Sequence, residues 1–454
     1  MILSAFLVVL LPFLTLNIPE AHTFRDGSKR QADKVVVCYM ASWATHRPTK
    51  GKFTVNDVRA DLCTHLIYTF AGLNATTWTI KSLDPWMDLK QNHDVGTYKK
   101  VTALRIRYPG LKVTLAIGGW NEGSENFSAL VASPEKRNIF SKHVIEYLQM
   151  YGFDGLDLDW EFPGRRGGSD KDKENFSYFV RELKNAFERH GLLLTAAISG
   201  DRNSMQTSYD IPEISKYLDY IHVMAYDYHT ALDKQVLPNA PVSSNDTLNL
   251  KDAIQYLLSE GAPSEKIVLG IPMYGRTFSL TKLPNTPDES PVGLPALEKG
   301  FPGPYTRENG FMGYNEICEE LLNPSKGWRS GWDDPTGTPY AIKDNNVILY
   351  DNPRSIREKV DVINKMGLAG AMVWSMDTDD FHGNCAALHD FLEPQSSRDY
   401  PLLKTINMAL GNTVRTYDEK KKKNHVLHSK ISSAGTIYVS GFIIISMSLF
   451  TFLS

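Results

Sequence analysis

Eight short apolar runs, rich in β-branched and aromatic residues, recur along the chain with helical stretches between them. They span residues 35–40, 65–70, 112–118, 153–161, 192–199, 220–226, 267–274 and 369–376. Amphipathic helices are predicted between several of them, at 134–151, 172–190, 250–260 and 355–366. Gly152, Gly191, Gly261 and Gly367 follow these helices, where a glycine commonly ends one. Strands alternating with helices predict a parallel sheet with right-handed crossovers, and eight is the number that closes a (β/α)8 TIM barrel, an α/β fold. An open doubly wound sheet would normally carry a glycine fingerprint after an early strand, and none is present.

One interval breaks this rhythm. Residues 277–347 are rich in Gly, Pro and aromatics (GLPALEKGFPGPYTRENGFMGY, then GWRSGWDDPTGTPY). That is too long for a plain loop, so a small α+β insertion is predicted between strands seven and eight. The barrel domain is expected over 34–400, with a charged linker over 401–435.

The two ends carry apolar segments. Residues 1–16 (MILSAFLVVLLPFLTL), followed by Ile18-Pro19-Glu20-Ala21, read as a secretory signal peptide over 1–21; the run is short for a membrane span. Residues 436–454 (TIYVSGFIIISMSLFTFLS) follow the run Lys420 to Lys423 and are about long enough to cross a bilayer. They also resemble a glycolipid-anchor signal. Either form would give membrane attachment at the cell surface. Secretion suits the sequons at Asn74, Asn126, Asn175 and Asn245. It also suits the four cysteines, Cys38, Cys63, Cys318 and Cys385, which lack C-x-x-C spacing and so read as two structural disulfides rather than a metal site. Three connectivities are open; proximity along the chain favours Cys38–Cys63 and Cys318–Cys385. A net charge of −3 gives no bias towards nucleic acid, and a monomer is expected.

The stretch FDGLDLDWEFPG, residues 153–164, sets Asp154, Asp157, Asp159 and Glu161 into a predicted strand. An unpaired buried carboxylate is costly, so these acids need a reason. Side chains alternate along a strand: Asp157, Asp159 and Glu161 share one face with Gly155, while Leu156, Leu158 and Trp160 share the other. In a barrel the leucines pack on the outer helices and the carboxylates look into the lumen. Glu161 then lies at the strand's C-terminal end, where active sites of this architecture sit. Same-face neighbours are roughly 6–7 Å apart, too close for every carboxylate to ionise, so a proton is shared and the last group's pKa rises. A protonated glutamic acid beside ionised aspartates is what a general acid for glycoside cleavage needs. A hard metal is the competing reading, but Ca2+ or Mg2+ usually takes its ligands from a loop; no metal or cofactor is expected. H-E-x-x-H, G-x-S-x-G and phosphate-loop patterns are absent.

DGLDLDWE resembles the D-x-x-D-x-D-x-E signature of the family 18 glycoside hydrolases, the chitinases and their lectin-like relatives. CYMASWA (38–44), AIGGW (116–120), MAYDYH (224–229), GIPMYGRTF (270–278) and AMVWSMDTDDF (371–381) resemble further family landmarks in order. The resemblance implies retaining cleavage of β-1,4-linked N-acetylglucosamine, with the substrate's own acetamido carbonyl as nucleophile. It implies Glu161 as acid and then base, Asp159 as orienter of the acetamide, Asp157 as its proton-sharing partner, and Tyr226 as donor to the acetamide oxygen, with Asp227 assisting. Trp374 resembles the floor of the cleavage subsite. Tyr39, Trp43, Phe70, Trp120 (after Gly119) and Tyr274 resemble further walls, with Met224 and Arg276 beside them; for each aromatic, core packing is the competing reading. The implied ligands are chitin or chitooligosaccharides. The chain has no cysteine after Cys385, hence no cysteine-rich chitin-binding module there, which favours soluble oligomers or accessible chains. A lectin on the same barrel, and an endo-N-acetylglucosaminidase acting on N-linked glycans, are the competing functions.

Overall fold

The computed structural model describes residues 34–89, 96–388 and 398–412; the expected signal peptide, lysine run and apolar tail lie outside them. The eight predicted strands form: β1 (Val35–Ala41), β2 (His65–Asn74), β3 (Lys112–Gly118), β4 (Gly155–Asp159), β5 (Leu193–Ser199), β6 (Tyr220–Met224), β7 (Ile267–Pro272) and β8 (Gly370–Trp374). All pair in parallel, and β1 pairs with both β2 and β8, which closes the barrel. The helices between them follow local chemistry. The helix Pro134–Tyr151 starts with Ser133 accepting from Lys136 N–H and proline in its first turn, and ends at Gly152 in the left-handed region.

Alternation along the strands sorts the core into two layers. Leu156 and Leu158 point outward among Phe140, Val144, Phe179 and Leu183 of the surrounding helices. Each fully buried aliphatic side chain contributes about 1.5–3 kcal/mol. Val37, Tyr39, Ile67, Ala116, Val268 and Met372 fill the lumen.

Between β7 and β8 lies the insertion, an antiparallel five-stranded sheet with the helix Tyr314–Leu322. Its first strand, Tyr274–Ser279, begins three residues before the expected boundary. Only Met273 separates it from β7, so the two strands read in sequence as one extended run.

Two expectations need correction. The fourth strand is Gly155–Asp159, shorter than 153–161, and Glu161 lies just beyond its end. The charged linker does not begin at 401. Pro401–Ala409 is a helix that buries Leu402, Leu403 and Ile406 and packs on the helix Pro353–Lys365. Proline at its start and apolar residues at its first, second and fifth following positions are helix signals, which the lysine-rich composition downstream obscured.

Disulfides join Cys38 to Cys63 and Cys318 to Cys385, the pairing that proximity favours. Of the sequons, Asn74 ends β2, Asn126 and Asn175 lie on helices, and Asn245 is in an exposed loop; none is buried. Asn412 Nδ2 donates to the Lys34 carbonyl at 3.2 Å, at the strands' N-terminal face. Among the described residues, no helix is long and apolar enough to cross a membrane.

Candidate active site

The lumen face of β4 carries Asp157 and Asp159, both buried. Asp157 is held on all sides. Tyr39 from β1 donates its hydroxyl to Oδ2 at 2.7 Å, and Thr195, paired beside it on β5, donates to Oδ1 at 2.5 Å. His222 Nδ1 from β6 lies 3.1 Å from Oδ1 and 2.9 Å from the Tyr39 oxygen. Asp157 is thus bonded to its neighbours rather than to Asp159.

Asp159 is the opposite case, because its Oδ1 is buried without a hydrogen-bond partner. Burial first, then the nearby charges of Glu161 and Asp157, hold its carboxyl well above the usual carboxylate range. Glu161 makes no carboxylate hydrogen bond among the described residues. Burial first, then the charge of Asp227, pushes its carboxyl up to about 7, while Arg166 pulls it the other way.

The turn that presents Glu161 is fixed on both sides. Trp160 faces outward, stacked on Phe127 at 5.4 Å, and its indole N–H donates to Ser124 Oγ at 2.9 Å. Ser124 Oγ in turn donates to the Phe162 carbonyl at 3.0 Å. Beside it, the Gly119 N–H donates to the Asp159 carbonyl at 2.7 Å. A Cβ on Gly119, whose φ is 82°, would stand 2.6 Å from the Phe70 ring. Only glycine suits that left-handed, close-packed position, and it turns the chain to expose Trp120.

Across the cleft, Tyr226 and Asp227 follow β6. Among the described residues the Tyr226 hydroxyl has one partner, Met372 Sδ at 3.7 Å, a weak acceptor that leaves the O–H able to donate into the cleft. Asp227 accepts from the Tyr274 hydroxyl at 2.6 Å and Arg276 Nε at 2.9 Å, and pairs with Arg276 Nη2 at 2.6 Å. Tyr274 and Arg276 alternate onto one face of the insertion's first strand. Met224, at the end of β6, packs against the lumen cluster.

Trp374 ends β8 and forms the centre of an aromatic group. Phe70 stacks on it at 5.8 Å, Trp43 stacks on Phe70 at 5.9 Å, and the Tyr39 ring meets Trp374 edge-on at 5.5 Å. Trp43 and Trp120 are 44% and 59% exposed, so each offers a ring face to solvent. Tyr39 and Tyr274 do not. Both are buried, with their hydroxyls committed to Asp157 and Asp227.

Sequence reasoning missed Thr195, His222 and Arg166. A signal existed for the first two, since each is a polar residue at a lumen-facing position of an apolar strand (LLTAAIS and YIHVM). Arg166 lies in a loop, where periodicity gives no guidance.

The sequence model of the glycosyl hydrolases family 18 matches residues 35–379, a span that contains every residue of this cleft. The chain belongs to that family. Among its relatives, Probable chitinase 2 of Drosophila melanogaster is 46% identical over 437 residues, covering 90% of this chain and 88% of its own. The Ostrinia furnacalis Group IV chitinase in complex with allosamidin superposes with a TM-score of 0.76 at 42% identity, covering 84% of this chain and 100% of that one. Human YKL-39, described as a pseudo-chitinase with retained chitooligosaccharide binding, superposes at 0.73 with 33% identity, covering 84% and 100%. In this family 18 hydrolase, the acidic row ends in a carboxyl that can keep a proton near neutral pH, next to an oxygen still open to a donor.

Proposed function

We propose that the protein is an extracellular endochitinase that cleaves β-1,4-linked N-acetylglucosamine chains with retention, by substrate-assisted catalysis. Glu161, protonated below about pH 7, donates to the leaving glycosidic oxygen. The substrate's acetamido carbonyl attacks the anomeric carbon. The open oxygen of Asp159 accepts the acetamide N–H and stabilises the positive oxazolinium, and the Tyr226 hydroxyl donates to the acetamide oxygen. Asp157, held by Tyr39, Thr195 and His222, anchors the row from below. Asp227, held by Tyr274 and Arg276, adds negative charge that favours the protonated form of Glu161. Glu161, now a carboxylate, then takes a proton from the water that opens the oxazolinium.

Trp374 is the floor for the distorted sugar, Trp43 and Phe70 line one side, and Trp120 lines the other. The sequons and the apolar end segments support an extracellular, surface-held enzyme acting on chitin or its oligomers.

One observation carries this reading: Glu161 is a largely buried carboxyl raised to about 7, free of hydrogen bonds among the described residues and adjacent to the open acceptor of Asp159. The test is product release from chitin oligomers by wild type and Glu161→Gln. The variant is expected to lose turnover by about 10²–10⁴-fold while still binding oligomer. Equal turnover would remove Glu161 as the acid. Binding without turnover in both proteins would favour the lectin reading, in line with the retained chitooligosaccharide binding of the pseudo-chitinase YKL-39.

A further inference from the structure

The loop after Glu161 carries one side chain that no step above uses. Arg166 lies on the segment between Phe162 and Asp172, and that segment is firmly anchored. Buried Asp172 accepts from the N–H groups of Gly164 at 3.1 Å and Ser169 at 2.8 Å, and from Ser128 Oγ at 2.7 Å. Arg165 Nε adds a bond to Thr207 Oγ1 at 3.1 Å. From this base Arg166 reaches across to the loop after β3. Its Nη1 donates to two carbonyls, that of Trp120 at 2.8 Å and that of Glu161 at 2.9 Å. Its guanidinium carbon lies 3.6 Å from the centre of the Trp120 ring. Arg166 adopts φ 52°, a left-handed conformation that a glycine would hold more easily. The backbone gains nothing from a long side chain here, so the purpose of that side chain lies in its contacts.

We propose that Arg166 is a positioning residue of the cleft, backing one face of Trp120 so that the other meets a sugar ring, and setting a fixed positive charge beside Glu161. An exposed arginine on a tryptophan is often only a surface contact. Here, however, the same guanidinium joins the two rim loops that carry the proposed acid and the most exposed cleft aromatic. Planar stacking on the indole requires guanidinium geometry, which lysine lacks, whereas the electrostatic part requires only the charge. The groups bearing on the Glu161 carboxyl are Asp159 from β4, Tyr226 and Asp227 from the loop after β6, Tyr209 from the segment after β5, and Arg166. Arg166 is the one that favours ionisation of Glu161.

This inference rests on the chitinase reading, and its test separates the two. The full chain and its Arg166→Gln, Arg166→Lys and Arg166→Gly variants are assayed on chitooligosaccharides across pH, with oligomer binding followed by tryptophan fluorescence. Arg166→Gln is expected to raise KM and Kd about three-fold, the size of an exposed cation–π contact, with plateau kcat within about two-fold of wild type. Its basic limb should move up by about half a pH unit, as expected for one unit charge lost across a water-like dielectric. Arg166→Lys should keep the limb and still raise KM. Arg166→Gly, which relieves the left-handed backbone, should match Arg166→Gln in both readouts without losing thermal stability, so a folding defect cannot account for the change. Superimposable limbs and unchanged KM in Arg166→Gln overturn the proposal. So does a uniform fall in kcat at every pH that tracks a lower Tm. A wild type that binds oligomers but hydrolyses none sinks the chitinase reading alone. In that case a Kd for Arg166→Gln equal to wild type still overturns the role assigned to Arg166.

Discussion

The row Asp157, Asp159 and Glu161 at β4 and the run Asp377, Asp379 and Asp380 after β8 are acids set into the same end of one barrel, yet their oxygens meet different fates. After β8 the acceptors are engaged, Asp377 Oδ2 by an ion pair without a hydrogen bond. Asp377 takes the Ala41 N–H at 3.0 Å and pairs with Arg47 at 2.7 Å. Asp379 takes the N–H groups of Leu403 at 2.9 Å and Asp380 at 2.8 Å, and Asp380 takes those of Asn384 at 2.9 Å and Cys385 at 2.8 Å. In the β4 row only Asp157, the deepest member, is so provided, and the acceptors open up towards the mouth. Burial is the leading cause of the raised carboxyl at both Glu161 and Asp379, and each reaches about 7. A raised pKa therefore does not by itself mark chemistry. What separates the clusters is whether the protein has already supplied the donors. Where it has, the acids tie the first and last elements of the barrel together; where it has not, the oxygens are left for water or a ligand.

The comparison breaks most visibly at its extremes. Glu161→Gln should cut kcat about 10²–10⁴-fold and leave the unfolding midpoint at pH 4 nearly unchanged. Asp379→Ala should do the reverse, losing about 1–3 kcal/mol in a urea melt because buried N–H groups go unpaired, with kcat per folded molecule intact. A matching fall in kcat for Asp379→Ala would erase the distinction. Asp159→Asn should lose about 10²-fold in kcat with no loss of stability, since it removes a buried carboxyl that no donor satisfies; a large drop in Tm would show that its oxygens are filled after all.

The pH dependence sharpens the same contrast. Glu161 must be protonated to act, so kcat/KM should fall about tenfold per unit as pH rises above about 7. Both Glu161 and Asp379 have folded values above their ordinary 4.5 and 3.8. Their contribution to stability is therefore complete below those ordinary values and is lost as pH rises towards about 7. Removing either by amide substitution should narrow the difference in unfolding free energy between pH 4 and pH 8. The smallest expected effect is that of Thr195→Val, which removes one of several donors to Asp157. About 1 kcal/mol of stability should go, with kcat reduced only a few-fold in a steady-state assay.

The barrel was legible because its signals are periodic. Eight strands with helices ending at glycines survive any local error, and the alternation in GLDLD sorts leucine from aspartate without reference to the rest of the chain. Partnership was not legible. Nothing in LLTAAIS or YIHVM says that Thr195 and His222 meet Asp157, since that depends on register between strands distant in sequence. The same limit applies to the aromatics: Tyr39 and Trp43 lie in one motif, yet closure of the sheet buries the first and leaves the second in the cleft. Arg166 depends on a loop path set by Asp172, and loop paths have no period to read. At the C-terminal side, composition averaged over the lysine-rich stretch hid the short helix Pro401–Ala409, whose burial is decided by one face of two turns.

The contact between Asn412 and the Lys34 carbonyl brings the two ends of the described body side by side at the foot of the barrel, away from the cleft. Rewiring follows from this geometry. A short peptide joining Lys34 to Asn412 would close the chain on the face opposite the cleft, leaving new termini to be opened elsewhere on the barrel.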